Sequence, residues 1–278
     1  MAARKTPGTA VIDYDEELAR AAKVAAAMEA HTGGGLFFST KSGVLSIGGE
    51  PLDNNEMVVV ILDAVIENAY YPGEYVPDQA RPPKCFAFGR DDATLAPHEI
   101  TTNANNAESD LCSSCPMNQY GSADTGRGKA CKNTRRLALI PAGTVTKGKF
   151  TEFKSASEFA DSEIAFLKIP PTSLKAYAAF VKSASNALQR PPHGLYTKIN
   201  LVPDAQNQFA IHFEPVKKTP NEFMPVIMDR REEAVLSIVT PYEPYDAAKF
   251  EAPPAKGRAS KTVGRQAAES PAKTTKRY

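Results

Sequence analysis

The stretch Met57-Val-Val-Val-Ile-Leu-Asp-Ala-Val-Ile66 is the most apolar part of this chain of 278 residues, and it is dense in β-branched side chains. Such side chains fit a pleated, half-buried surface and are enriched in strands. The stretch therefore predicts a long central strand, and the segments around it are interpreted as its partners.

Segments with the periodicity of strands and helices lie on both sides of this strand. Strands are predicted at 36–38 and 44–47, which form a hairpin, and at 84–90, 136–140, 164–169, 195–201 and 209–213. Helices are predicted at 13–33, 172–190 and 226–239. The sequence thus predicts an α+β fold with a mainly antiparallel sheet. Five or six strands, with one helix inserted before the last pair, suit a partly open, OB-like barrel with peripheral helices.

Composition sets the class of protein and its division into regions. Apolar residues make up 42% of the chain, which is enough for a core. Three regions are predicted: an N-terminal helix and hairpin at 1–54, the OB-like core at 55–246, and a tail at 247–278. The tail carries a net charge of +6 in a chain whose total is +1, and it has few large apolar groups. We expect it to be disordered, either in transient contact with phosphates or only as a solubilising terminus.

The same composition predicts where the protein works. No apolar run approaches the ~20 residues of a membrane span, and the first residues lack the apolar region of a signal peptide. The chain has only four cysteines, and they are clustered. A protein of the reducing cytoplasm, with no membrane partner, is the expectation.

The four cysteines are Cys85, Cys112, Cys115 and Cys131. Two cysteines separated by two residues turn both sulfurs toward one point, and four thiolates form the tetrahedron that a structural Zn²⁺ ion prefers. The loop from 116 to 130 is polar and rich in glycine, so a metal is the simplest way to give it one shape. The sequence therefore predicts a zinc site that ties together an inserted loop, 85–131.

Three other interpretations of these cysteines stay open. They are free buried thiols, an iron–sulfur cluster and a redox-active pair. A cluster is expected in a drier and more apolar loop than this one. A thioredoxin-like pair is expected to open a helix after a strand, whereas residues 107–111 indicate a polar loop.

Cations and aromatic residues around the cysteines predict contact with nucleic acid. Between Cys112 and Phe150 the net charge is +6, which suits a phosphate-binding surface. In the strand 84–90, two cations and two phenylalanines share one face, a pattern for stacking bases along a backbone; core packing is the alternative for the phenylalanines. The strand at 195–201 places an aromatic ring and a cation together in the same way. The predicted nucleic-acid contacts are Lys84, Phe86, Phe88, Arg90, Tyr120, Arg127, Lys129, Lys132, Arg135, Arg136, Lys147, Lys149, Tyr196 and Lys198.

Motifs of catalysis are missing from the sequence. The four histidines, His31, His98, His193 and His212, are scattered and form no metal-ligand or triad spacing. The segment 121–130 comes closest to a phosphate-binding loop, but Arg127 stands where the lysine is required and no Ser or Thr follows it. The expectation is a protein that is not an enzyme.

In this arrangement of the four cysteines, the basic loop and the aromatic strand, the chain resembles the bacteriophage single-stranded DNA-binding proteins that carry a zinc-tied subdomain on an OB-like core. The resemblance is one of organisation and covers about residues 55–215. It implies binding of single-stranded DNA in replication or recombination, in the cytoplasm of an infected bacterium, with phage replication or recombination proteins as candidate partners. Such proteins usually end in an acidic tail, whereas this tail is basic.

The sequence thus predicts a zinc-stabilised, non-catalytic protein that binds single-stranded DNA. Two rival interpretations come from other classes. One is a zinc-containing enzyme of nucleic-acid metabolism, which metal-dependent turnover of an oligonucleotide would reveal. The other is a zinc module that binds a protein, which would show no affinity for nucleic acid.

Overall fold

The computed structural model describes residues 35–73, 81–124 and 126–247. The strands are β1 (Leu36–Ser39), β2 (Ser46–Ile47), β3 (Glu50–Pro51), β4 (Glu56–Tyr70), β5 (Cys85–Gly89), β6 (Cys131–Pro141), β7 (Gly143–Thr146), β8 (Lys149–Glu152), β9 (Ala165–Ile169), β10 (Leu195–Asp204) and β11 (Gln208–Lys218). The helices are α1 (Glu99–Asn103), α2 (Ala156–Ala160), α3 (Leu174–Ser183) and α4 (Met224–Ser237). All these elements belong to one unit of the chain, which ends at Tyr245.

Strand β4 organises the main sheet, as its apolar sequence predicts. The sheet has the order β11-β10-β4-β6-β9-β1-β2-β3, and β5 pairs with β4 beside this path. On one side β4 pairs first with β10 and then, beyond a gap, with β5; on the other side it pairs with β6 from Val59 to Tyr70. Every ladder is antiparallel except that between β1 and β9. The fold is therefore α+β with a mainly antiparallel sheet.

Both faces of β4 are buried, which explains why its apolar run is continuous rather than alternating. Met57, Val59 and Ile61 belong to one core, which α3 covers with Tyr177 and Phe180. The alternate residues of β4 belong to a second core on the opposite face, closed by α4, α2 and the β7–β8 hairpin. A bulge between Ile61 and Asp63 shifts the register of the β4–β6 ladder.

The strands and helices predicted inside the described residues are confirmed, but the strand count is too low. Nine strands form the main sheet, and β7 and β8 form a second, two-stranded one. The strands not predicted are only two to four residues long, so they carry too few positions for a periodic pattern. Strands β1 to β3 belong to the same sheet as β4, although their residues were expected in a separate N-terminal region.

Two further expectations concern residues outside the described ranges, and a third concerns membrane spans. The predicted helix at 13–33 and the tail from residue 248 lie outside the described residues. None of the described helices is long and apolar enough to cross a membrane.

Candidate metal centre and nucleic-acid interface

The four cysteines meet at the end of β4. Tyr70, the last residue of β4, lies opposite Cys85 on one side and opposite Cys131 on the other. Residues directly opposite each other point to the same face of a sheet, so these two thiols share a face. Cys112 and Cys115 reach the same place from the loop before β6, and all four cysteines line one cavity of about 20 Å³. A volume of that size holds a single water-sized sphere.

Backbone hydrogen bonds fix the Cys-x-x-Cys turn beside this cavity. The N–H of Cys112 donates to the carbonyl of Leu95 at 2.8 Å, which attaches the turn to the segment after β5. The side-chain amide of Asn118 donates to the carbonyl of Cys112 at 2.7 Å, and its backbone N–H donates to that of Cys115 at 3.0 Å. The 3₁₀ turn Pro116–Asn118 that follows is therefore held against both cysteines.

Burial raises the pKa of the Cys85 thiol to about 11 and that of Cys131 to about 12, and the neighbouring cysteines raise both further. Burial also raises the pKa of Cys112. A redox-active pair needs a lowered pKa in an electropositive, partly exposed place, so these thiols do not have that character. Buried thiols become thiolates when a cation compensates their charge, as in a structural metal site.

The thiols share the cavity without forming a closed ligand set. Among the described residues, no three His, Cys, Asp or Glu side chains are grouped closely enough to hold a metal ion. All four cysteines nevertheless line one ion-sized cavity. Four sulfur donors around a single small cavity fit zinc in chemistry and in number.

The loop between Cys115 and Cys131 has a shape fixed by polar contacts. The Ser122 hydroxyl lies 2.9 Å from the carbonyl of Met117 and accepts the N–H of Ala130 at 3.0 Å. The N–H of Gly121 donates to the carbonyl of Gly128 at 2.8 Å, and both glycines have positive φ, which side chains with a Cβ rarely adopt. The loop is therefore a folded hairpin with Tyr120 beside its closing bond.

Tyr120 is the most exposed large apolar side chain of the described residues, at 86%. Arg127 is exposed on the other side of the Gly121–Gly128 bond, and Lys132, the second residue of β6, is exposed as well. Lys129 is half-buried and donates to the side-chain carbonyl of Asn118 at 3.2 Å. The structure thus places Tyr120, Arg127 and Lys129 on the cysteine loop, whereas Lys132 lies opposite Ala69, on the face of the sheet away from the cysteines.

Two predicted cations lie far from this group. Lys147 lies in the turn between β7 and β8, and Lys149 is the first residue of β8. Lys132 lies opposite Ala69, whereas Pro141, just before β7, lies opposite Val59. Ten residues of strand separate the two places by about 33 Å. The cations between Cys112 and Phe150 do not form the single basic surface that the charge count suggested.

Arg136 is buried, at 2% exposure, and belongs to an ion cluster on the opposite face of β4. Its Nε lies 2.5 Å from Oε2 of Glu67, and its Nη1 donates to the carbonyls of Ile238 and Thr240 at 3.0 and 3.2 Å. Lys168 Nζ lies 2.8 Å from the other oxygen of Glu67. Arg136 is unavailable to a phosphate, which corrects its predicted role; the neighbouring Arg135 is partly exposed.

The charge of Glu67 is maintained in this buried place by its partners. Burial by itself would raise the pKa of Glu67, but Lys168 and Arg136 lower it below its usual value. The hydroxyl of Tyr242 also donates to this carboxylate. This cluster was not predicted from the sequence, although a glutamate directly after an apolar run indicates a buried cation near it.

The predicted aromatic platforms are core residues. Phe86 is 2% exposed and stacks on His98, with ring centroids 4.9 Å apart. Phe88 is partly buried between Tyr242, at 6.1 Å, and the Arg136 guanidinium, at 4.3 Å from its ring centre. Tyr196 is fully buried in the core under α4. The alternative of core packing therefore holds for the phenylalanines, and the stacking role of Tyr196 is corrected in the same way.

The cations next to these rings have carboxylate partners. Lys84 pairs with Glu108 at 2.9 Å, and Lys198 pairs with Glu56 at 3.2 Å. Arg90 binds Asp63 through both guanidinium nitrogens, at 2.7 and 2.5 Å. A phosphate would have to compete with these carboxylates, so all three are weaker candidates than Lys132.

Comparison of the chain with protein-family models, with curated proteins and with solved structures finds no match.

Proposed function

We propose that this protein binds single-stranded DNA, in phage replication or recombination, through a loop stabilised by zinc. The observation that carries the proposal is the exposed ring of Tyr120 on a fixed, basic hairpin beside the four-cysteine cavity. An exposed aromatic ring next to cations suits bases and phosphates at once, because every base has a face that stacks. The mainly antiparallel, unclosed sheet is compatible with an OB-like, partly open barrel.

The contact surface in this proposal is smaller than the sequence suggested. Tyr120 stacks a base, and Arg127 and Lys129 contact the phosphates that flank it. Lys132, on the other face of β6, contacts a phosphate further along the strand. Zinc bound by Cys85, Cys112, Cys115 and Cys131 stabilises the loop and takes no part in chemistry. Because this contact surface is short, we expect each protein molecule to have a low affinity for DNA. This affinity should depend strongly on the salt concentration.

A titration with three ligands tests the proposal. Labelled poly-dT, a duplex of equal length and a single-stranded RNA are titrated with the purified protein at two salt concentrations. We expect poly-dT to bind more tightly than the duplex, and its affinity to fall as salt rises. Equal affinity for duplex and poly-dT, or no affinity for any of the three, would overturn the proposal. Metal-dependent cleavage of poly-dT would favour an enzyme instead.

Elemental analysis of the same metal-replete preparation tests the cofactor separately. We expect about one zinc per chain, since the four sulfur donors form one site. Iron with visible absorbance, or no metal, would refute the zinc assignment without deciding whether DNA binds.

A further inference from the structure

A second concave surface lies at the end of β4 opposite the cysteines. It is a cleft of about 420 Å³, within the range of about 300–1,000 Å³ typical of ligand sites. Strands β1, β4, β6 and β7 form its walls, and most of its lining is apolar. The principal apolar residues are Leu36, Phe38, Met57, Val59, Leu139 and Val145. A cleft of this size is large enough to take more than one apolar side chain.

The charges at this cleft have one sign. Its lining includes Asp53, Glu56 and Glu163, and it includes no Lys, Arg or His. Asp53 and Glu163 are exposed. Glu56 forms an ion pair with Lys198, and Asp53 accepts a hydrogen bond from the backbone N–H of Lys147. Glu163 has no ion-pair partner among the described residues. The cleft therefore favours a ligand that has positive charge beside an apolar body.

The carboxylates stand on two sides of the cleft. Glu56 begins β4, and Glu163 lies just before β9, while β6 lies between these two strands. Two strand spacings correspond to about 10 Å. A ligand that satisfies both sides needs cations at both ends of its apolar part. A short peptide segment meets this requirement, whereas nucleic acid would place phosphates against carboxylates.

We propose that this cleft binds a segment of a partner protein in which apolar side chains are flanked on both sides by Lys or Arg. The apolar side chains fill the cleft, and the flanking cations face Glu163 on one side and Asp53 and Glu56 on the other. The site lies about 40 Å along β4 from the cysteine loop, so it is separate from the proposed DNA contact.

Binding of a fluorescein-labelled peptide Lys-Leu-Phe-Leu-Lys to the full-length protein tests this inference, without nucleic acid present. We expect saturable binding at one site per chain and little binding of the matched peptides Glu-Leu-Phe-Leu-Glu and Lys-Ser-Ser-Ser-Lys. The exchange Glu163→Lys should weaken binding of the first peptide by about tenfold or more, because it reverses the charge at the cleft.

The matched control is Asp161→Lys, an equal charge change at an exposed residue two positions away that does not line the cleft. It should leave the affinity within about twofold of the original value. Equal weakening by both exchanges would show attraction by overall charge and overturn the inference. No saturable binding, or equal binding of the acidic peptide, would overturn it as well. A chain that self-associates and loses this association with Glu163→Lys would show that a second copy, and not a partner protein, occupies the cleft.

Discussion

The cysteine loop and the Glu67 cluster lie on opposite faces of the same end of β4, and both contain cations beside aromatic rings. On one face Tyr120 is 86% exposed beside a cavity lined by thiols; on the other, Phe86 is 2% exposed beneath Tyr242. The two faces differ by one position in β4, since Asn68 points to the cysteines and Glu67 to Arg136.

This difference shows what separates a binding pattern from a packing pattern. A cation next to a ring is available to a ligand only if no carboxylate of the protein already binds it. Glu67 binds Arg136, and Asp63 binds Arg90. Lys132 has Ala69 opposite it and remains exposed.

The largest expected effect is on the cysteine side. Replacement Cys112→Ser removes one of the four proposed zinc ligands. The binding free energy of a structural zinc, of order 10 kcal/mol, is largely folding free energy of its loop. We expect loss of the bound zinc and rapid proteolysis within 116–130, while the sheet stays folded. Zinc content and limited proteolysis measure this. Ser113→Ala, an exposed change in the same turn, should have neither effect; retention of zinc by Cys112→Ser would contradict the metal site.

A smaller effect, on global stability, is expected on the other face. Arg136→Ala leaves Glu67 buried with one cation fewer, and breaking a buried pair costs roughly 3–5 kcal/mol. Urea unfolding should show this loss. The partly exposed neighbour Arg135→Ala is expected to cost less than about 1 kcal/mol. If Arg136→Ala kept full stability but lost affinity for poly-dT, the assignment of the two faces would be reversed.

The exposed ring gives the third prediction. Tyr120→Ala should weaken poly-dT binding by roughly 1–3 kcal/mol, which is the free energy of stacking one base on an aromatic ring. It should not change the midpoint of thermal unfolding. Tyr120→Phe keeps the ring and should bind like the original protein. Equal binding by all three proteins would remove Tyr120 from the interface.

The smallest expected effect is that of removing Lys132, and Lys149 serves as the control. Lys132→Ala should reduce the slope of log affinity against log salt by about 0.7, the value for one phosphate of a single strand. Lys149→Ala, in the β7–β8 hairpin that follows the far end of β6, should leave the slope unchanged. A similar change in both variants would mean that DNA contacts both ends of the sheet.

The sequence predicted the long strands and the meeting of the cysteines for physical reasons that are local. A run of β-branched residues determines β4, and the spacing of Cys112 and Cys115 restricts where their thiols point. The clustering of Cys85 and Cys131 on either side of Tyr70 also agrees with their predicted association.

Which cations are buried and which are exposed could not be predicted in this way, because burial depends on residues that are distant in sequence. Arg135 and Arg136 are adjacent, yet alternation in β6 places them on opposite faces. Arg136 is buried because Glu67 on the neighbouring strand and the carbonyls of Ile238 and Thr240 bind its guanidinium. No local pattern around Arg136 contains that information.

The contacts of Arg136 with the last residues of the unit that ends at Tyr245 have a consequence for synthesis on the ribosome. Its guanidinium donates to carbonyls 102 and 104 residues later in the chain, and Glu67 accepts from a tyrosine 175 residues later. At about 5–20 residues per second, translation leaves these charges without their last partners for roughly 5–20 s after Arg136 is made. The last contacts of this buried face therefore form only after α4 and the residues that follow it have been translated.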